Sequence, residues 1–199
     1  SGGVSPGLRY SDEYGLMQFA GFTALSRYTL RNNSIGNGDF VDDSYLIPME
    51  IPYLHGAAMM VRREVYEKTG GMPTQYFLYY EELDWSLSIR NCGYRLWYEP
   101  GCVIYHKESR STGLLSPLKT YYLTRNRFLF AYRNSSSFDC FVTHLYLLSC
   151  VAVRDCLSYL LKKRFDLLRA MFSGISNYYS LTKKQKLDNY GFKFSYFLS

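Results

Sequence analysis

The sequence predicts an α/β domain followed by a helical C-terminal region, and three observations carry that prediction. Short apolar runs of strand length alternate with helix-like stretches between Ile51 and Tyr105. Glycine and proline punctuate them at Gly70-Gly71, Gly93 and Pro100-Gly101. Past Ser116-Pro117, an N-cap followed by proline at the first helical position, longer apolar segments take over.

In chain order, the stretch before Pro48 is weakly patterned. Ser1-Gly2-Gly3, Pro6-Gly7 and the run from Asn32 to Asp39 read as turn material, with short strands expected at Leu16 to Ala20 and Phe22 to Leu25. Ile51 to Val61 reads as one buried strand, in which Gly56 and Ala57 would let backbone or ligand come close. Arg62 to Thr69 is a short helix stopped by Gly70-Gly71.

The densest stretch is Tyr76 to His106. Glu81-Glu82-Leu83-Asp84 opens a helix that Asn91-Cys92-Gly93 closes. Carboxylates in a first helical turn are stabilised by unpaired N–H groups whether or not they do chemistry. At about 100° per residue, Glu81 and Asp84 lie near one face and Glu82 points away from Asp84. Tyr94 to Tyr98 reads as a strand, Pro100-Gly101 as a turn, and Cys102 to Tyr105 as a second strand ending on His106. A histidine at a strand end followed by a polar loop, Lys107 to Gly113, occupies the kind of position where ligands bind in α/β sheets.

The helix from Ser116-Pro117 is expected to run to Arg133, with Arg125, Asn126 and Arg127 interrupting its apolar pattern as a solvated face. Phe138 to Leu161 is strongly apolar, but its uncharged run from Cys140 to Val153 is too short to span a bilayer. With Lys162-Lys163-Arg164 and the amphipathic stretch to Phe172, it suits an interfacial helical hairpin, or else an ordinary helical lobe. The expected organisation is a domain over 1–134, a helical region over 135–180 and a tail over 181–199.

Composition narrows the partners. A hydrophobic share of 47 % supports a real core, and 21 Tyr with 13 Phe supply amphipathic surface suited to sugars, lipid headgroups or proteins. A net charge of +6 favours polyanions, but no compact basic-aromatic motif points to nucleic acid. Five cysteines without paired metal spacing fit a reduced, cytoplasmic setting with buried thiols.

The motifs GGM, YFLYYEELDW, GYRLWYEPGCVIYHKES and YYLTRNR, in that order, closely resemble the C-terminal half of family 2 glycosyltransferases. They are most similar to the rhamnosyltransferase-like enzymes of bacterial surface-polysaccharide assembly, from about Tyr53 to Asn134, with a weaker tail to about Ser180. The resemblance implies part of a GT-A domain with a mixed sheet, and inverting transfer from a nucleotide sugar to a glycan or glycolipid hydroxyl. It also implies that Glu82 is the catalytic base, supported by Glu81 and Asp84, where the family usually carries Asp. Ser88 departs from an Arg common in the family.

On the same basis His55, Gly56 and Trp85 line the acceptor, Lys107, Arg110 and Arg125 meet the donor diphosphate, and His106 is a metal ligand. The cofactor implied is Mg2+ or Mn2+, its main Asp-x-Asp ligands expected upstream of Ser1. Asp39, Asp42 and Asp43 mimic that motif from a polar loop. An isolated chain lacking the nucleotide-binding half is expected to transfer nothing. The expected location is the cytoplasm, with peripheral contact on the inner face of the membrane. A glycosidase is a poorer fit, because adjacent acids on one helix do not flank a bond at roughly 5 to 9 Å. A non-catalytic glycan-binding or membrane-docking module is the alternative from another class.

Overall fold

The computed structural model describes residues 1–12, 15–107 and 116–188. The chain divides into two compact units, Ser1–Gly113 and Leu114–Ser199. The first is α/β with a mixed sheet and the second is helical, in line with the expected fold class.

In the first unit, strands β1 (Gly3–Tyr10), β2 (Met17–Phe19), β3 (Met49–Ile51), β4 (Met60–Val61) and β5 (Leu96–His106) form one sheet. Its order is β2-β1-β5-β3, with β4 also on β1, and only the β1/β5 pair is parallel. Helix α1 (Arg63–Thr69) ends at Gly70, whose φ of 72° suits glycine. Helix α2 (Glu81–Asn91) ends at the Cys92-Gly93 turn, as its sequence predicts. The core gathers Leu8, Phe19, Ile51, Leu54, Val65, Trp85, Ile89, Leu96 and Tyr98.

Three expectations change. Ser1 to Gly7 is not turn material, because β1 is the strand on which β2, β4 and β5 pair. Glycine serves close packing here: a Cβ on Gly2 would meet the Tyr94 Cβ at 2.5 Å. Pro100-Gly101 is not a hairpin turn but a bulge within β5, where Glu99 pairs with Pro6 and Val103 with Gly7. The bulge leaves Cys102 exposed rather than buried. Ile51 to Val61 is not one strand, since the chain turns at Gly56-Ala57 between β3 and β4. The Ala58 N–H donates to the His55 carbonyl (3.1 Å) and the Ala57 N–H to His55 Nδ1 (3.0 Å). Likewise Phe22 to Leu25 forms only a bridge from Phe22 to Ser34.

In the second unit, helix α3 (Pro117–Asn134) starts with the Ser116 side chain accepting from the Lys119 N–H. This helix, assigned by sequence to the first domain, clusters instead with the helices that follow. Helices α4 (Ser137–Tyr146) and α5 (Val153–Leu161) join through a π-helical turn, Leu147–Ala152. Together they make a continuous helix of 25 residues, with mean hydropathy 1.4 over its most apolar 18-residue stretch. By length and composition it is long enough to cross a bilayer. The uncharged run from Cys140 to Val153 is shorter than this helix, which continues through Asp139, Arg154 and Asp155. Helix α6 (Phe165–Asp188) lies against α3 so closely that a Cβ on Gly174 would meet the Tyr121 carbonyl oxygen at 2.7 Å.

Candidate functional site

The five residues before α2 set the site. Phe77, Tyr79 and Tyr80 hold positive φ of 62°, 67° and 73°, a region in which bulky residues cost on the order of 1–3 kcal/mol each. Tyr76 anchors the segment: it is fully buried and its hydroxyl donates to Asp84 Oδ2 at 2.7 Å. Asp84 therefore holds the approach to the helix, and Tyr80 delivers Glu81 and Glu82 as the first helical residues.

Glu81 and Glu82 each bury an Oε2 atom that has no hydrogen-bond partner. Burial and then the neighbouring Glu81 charge push the Glu82 carboxyl up to about 7, with the backbone N–H groups of Glu82, Leu83 and Tyr80 pulling partly back. Burial also raises Glu81. A carboxylate so placed has the proton affinity of a base working near neutrality.

Gly56 borders this carboxyl. A Cβ added there would lie 3.7 Å from Glu82 Cδ and Cγ, and Gly56 itself is exposed. The loop bearing Gly56 is held from two sides. The Leu54 N–H donates to Ser86 Oγ (3.0 Å), which donates to the Glu82 carbonyl (2.6 Å), while the His55 N–H donates to Ser5 Oγ (2.9 Å).

His55 continues the site. Its ring stacks on Phe22 at 5.5 Å and meets Phe19 and His106 edge-on at 4.7 and 6.4 Å. Burial, then the charge of His106, lower it to about 4, so the ring is neutral at pH 7. With Nδ1 accepting from Ala57, the proton sits on Nε2. His106 ends β5 opposite Tyr10 at the carboxyl end of the parallel pair, and its Nδ1 lies 3.0 Å from Gln18 Oε1. An amide oxygen accepts, so Nδ1 is the donor in that contact. Among the described residues no three His, Cys, Asp or Glu converge on a metal position.

Glu81, Glu82, His55, Gly56 and His106 thus form a chain of neighbours, with Lys107 following His106 and paired to Asp12 at 3.7 Å. Arg110 lies outside the described residues. Two expectations are corrected. Trp85 does not face an acceptor: it is in the core, its Nε1 donating to the Gly70 carbonyl (2.7 Å). Arg125 and Asn126 are buried rather than solvated, because α6 covers that face of α3. Arg125 Nε donates to Asn126 Oδ1 (2.8 Å), and its guanidinium lies over the Tyr122 ring at 4.7 Å. Asp39 and Asp42 have local partners, in Tyr45 and Ser44 respectively. Gln18, Phe22, Ser5 and Ser86 were not foreseen. Gln18, polar within Leu16 to Ala20, carried the clearest signal.

No protein-family model matches the sequence. Over 70 residues the chain is 33 % identical to the N-acetylglucosaminyl-diphospho-decaprenol L-rhamnosyltransferase of two Mycobacterium tuberculosis strains, CDC 1551 / Oshkosh and H37Rv. The match takes in 34 % of this chain and 23 % of those relatives, so it spans less than a quarter of their length. The chain is therefore similar, over part of its length, to a glycosyltransferase.

Proposed function

We propose that this chain carries the acceptor-activating part of an inverting glycosyltransferase of the GT-A kind, with Glu82 as general base. The carrying observation is the Glu82 carboxyl: unpartnered at a buried Oε2, raised to about 7, and bordered by the exposed Gly56. An acceptor hydroxyl enters over Gly56 and gives its proton to Glu82 as its oxygen bonds to the anomeric carbon. The bond from that carbon to the nucleoside diphosphate breaks on the opposite face, and its electron pair leaves with the diphosphate. The neutral His55 orients the acceptor through Nε2–H, and Lys107 with Arg110 meets the diphosphate.

The relatives' name supports transfer of a rhamnosyl group to a polyprenyl-diphosphate-linked acceptor, and the donor we propose is a nucleotide sugar. A divalent ion would neutralise leaving-group charge when bound, and this chain offers it His106 alone among the described residues. The test is acceptor-dependent release of nucleoside diphosphate by an enzyme containing this chain. The rate is expected to rise roughly tenfold per pH unit below about 7 and to level off above it, as a base with that proton affinity requires. A profile without that inflection, or release of free sugar in place of transfer, overturns the proposal.

A further inference from the structure

An apolar stripe runs along the helix from Ser137 to Leu161. Phe138, Phe141, Leu145 and Leu148, then Val153, Leu157, Leu160 and Leu161, are between 39 % and 84 % exposed. The first four recur at helical spacing, but the step from Leu148 to Val153 is one residue longer than a same-face α-helical step. That step falls inside the π-helical turn Leu147–Ala152. A π turn takes up one extra residue, so both halves of the stripe stay on one face. Eight large apolar side chains on a single exposed face form a contiguous patch of the kind that marks an interaction surface.

Three features select what covers it. The opposite face is committed within the unit: Thr143 and Leu147 are buried, and His144 Nε2 lies 2.8 Å from the Tyr178 hydroxyl. The stripe ends directly on Lys162 and Lys163, both exposed. Residues 114–199 hold 13 Lys and Arg against 4 Asp, a net charge of +9. A second copy would bring the same charge to the same face, whereas an anionic bilayer accepts apolar and cationic groups together. The length of 25 residues, at about 1.5 Å each, could cross a hydrocarbon core of about 30 Å. Crossing would strip the inner face of its packing and expose Thr143 and His144 to lipid.

We propose that the helix Ser137–Leu161 seats this chain in the plane of an anionic lipid surface, with the stripe below the headgroups and Lys162-Lys163 among them. This placement is independent of the glycosyl-transfer reading. The test is flotation of the full chain with phosphatidylcholine vesicles containing about 30 % phosphatidylglycerol. Binding is expected at about 0.1 M salt and largely lost near 1 M, as the Debye length falls from about 10 to about 3 Å. Lys162→Glu with Lys163→Glu should weaken binding about tenfold or more, and Leu145→Asp with Leu157→Asp should abolish it. Both pairs are exposed, so an unchanged circular dichroism spectrum checks folding. Four results overturn the proposal: no flotation at low salt, flotation indifferent to the Leu pair, association surviving both high salt and carbonate, and a stripe-dependent dimer in sedimentation without vesicle binding. The third would mean a crossing helix, and the fourth that the stripe meets a second copy.

Discussion

Glu82 in the first unit and Arg125 in the second are buried in opposite ways. In the first unit, Glu82 and Glu81 hide carboxylate oxygens without a partner. In the second, Arg125 is buried but finds Asn126 and the faces of Tyr121 and Tyr122. Burying a charge is costly in both places; side-chain partners offset the cost for Arg125, as the Tyr76 hydroxyl does for Asp84 in the first unit, but not at the Oε2 atoms of Glu81 and Glu82. A buried charge marks function when its surroundings leave it unsatisfied, and marks packing when they satisfy it. Net charge divides the same way. Residues 1–113 hold 10 Lys and Arg against 13 Asp and Glu, a balance of −3, against +9 in the remainder.

The most severe way to break this comparison is to neutralise each group in turn. In an enzyme containing this chain, Glu82→Gln should lower transfer by about 10² to 10⁴-fold, the usual general-base contribution. Arg125→Met should lower it by less than about tenfold, since its guanidinium is taken up by Asn126 and the rings of Tyr121 and Tyr122. Steady-state rates of the two variants, normalised to folded protein, decide it, and equal losses would erase the distinction.

Stability should move in opposite directions for the same pair. A carboxyl raised from 4.5 to about 7 favours the folded state below pH 4.5, and that contribution is lost as pH rises through 7. The loss is up to about 3 kcal/mol, at 1.36 kcal/mol per pH unit. Glu82→Gln should therefore match wild type near pH 4 and exceed it by about 1–3 kcal/mol at pH 8 in denaturant unfolding. Arg125→Met should destabilise by about 1–2 kcal/mol at both pH values, having lost a hydrogen bond and ring contacts. A Glu82→Gln gain that does not change between pH 4 and 8 would show that the carboxyl is not desolvated.

What could be read in the sequence divides by range. Helix α2 was legible because its acids, its apolar positions and its Gly93 stop all act within a few residues, and the start of α3 at Ser116-Pro117 was legible for the same reason. Strand β1 was not, because Pro6 and Gly7 favour a turn locally and only pairing with β5, some ninety residues away, overrides them. His106 and His55 could be suspected from position. Their partners Gln18 and Phe22 come from β2 and the loop after it, and no local pattern links them. Trp85 and Arg125 were misplaced because an aromatic and a cation on a helix look alike in sequence whether they face a ligand or a neighbouring helix. For Trp85 the end of α1 decided it, and for Arg125 the approach of α6.

Two glycines give the smallest effects and a direct comparison of the units. In helix α6, Gly174→Ala gains about 0.5–1 kcal/mol of helix propensity. The new methyl would nevertheless stand 2.7 Å from the Tyr121 carbonyl oxygen and 3.3 Å from the Arg125 nitrogen, backbone atoms that cannot swing aside. Forcing α3 and α6 apart costs about 1–3 kcal/mol, so the net change should be a loss of about 1 kcal/mol. At Gly56 the nearest atoms to a new methyl are those of Glu82 at 3.7 Å, ordinary contact distance. Gly56→Ala should therefore keep or slightly raise stability, by up to about 0.5 kcal/mol through a less flexible unfolded chain. Its effect should appear in function, as a methyl standing in the approach to the Glu82 carboxyl and a higher KM for acceptor with little change for donor. Thermal unfolding of both variants, beside acceptor and donor titrations of Gly56→Ala, would test the pair. A stability loss at Gly56 as large as that at Gly174 would mean that the space before Glu82 is packing rather than an entrance.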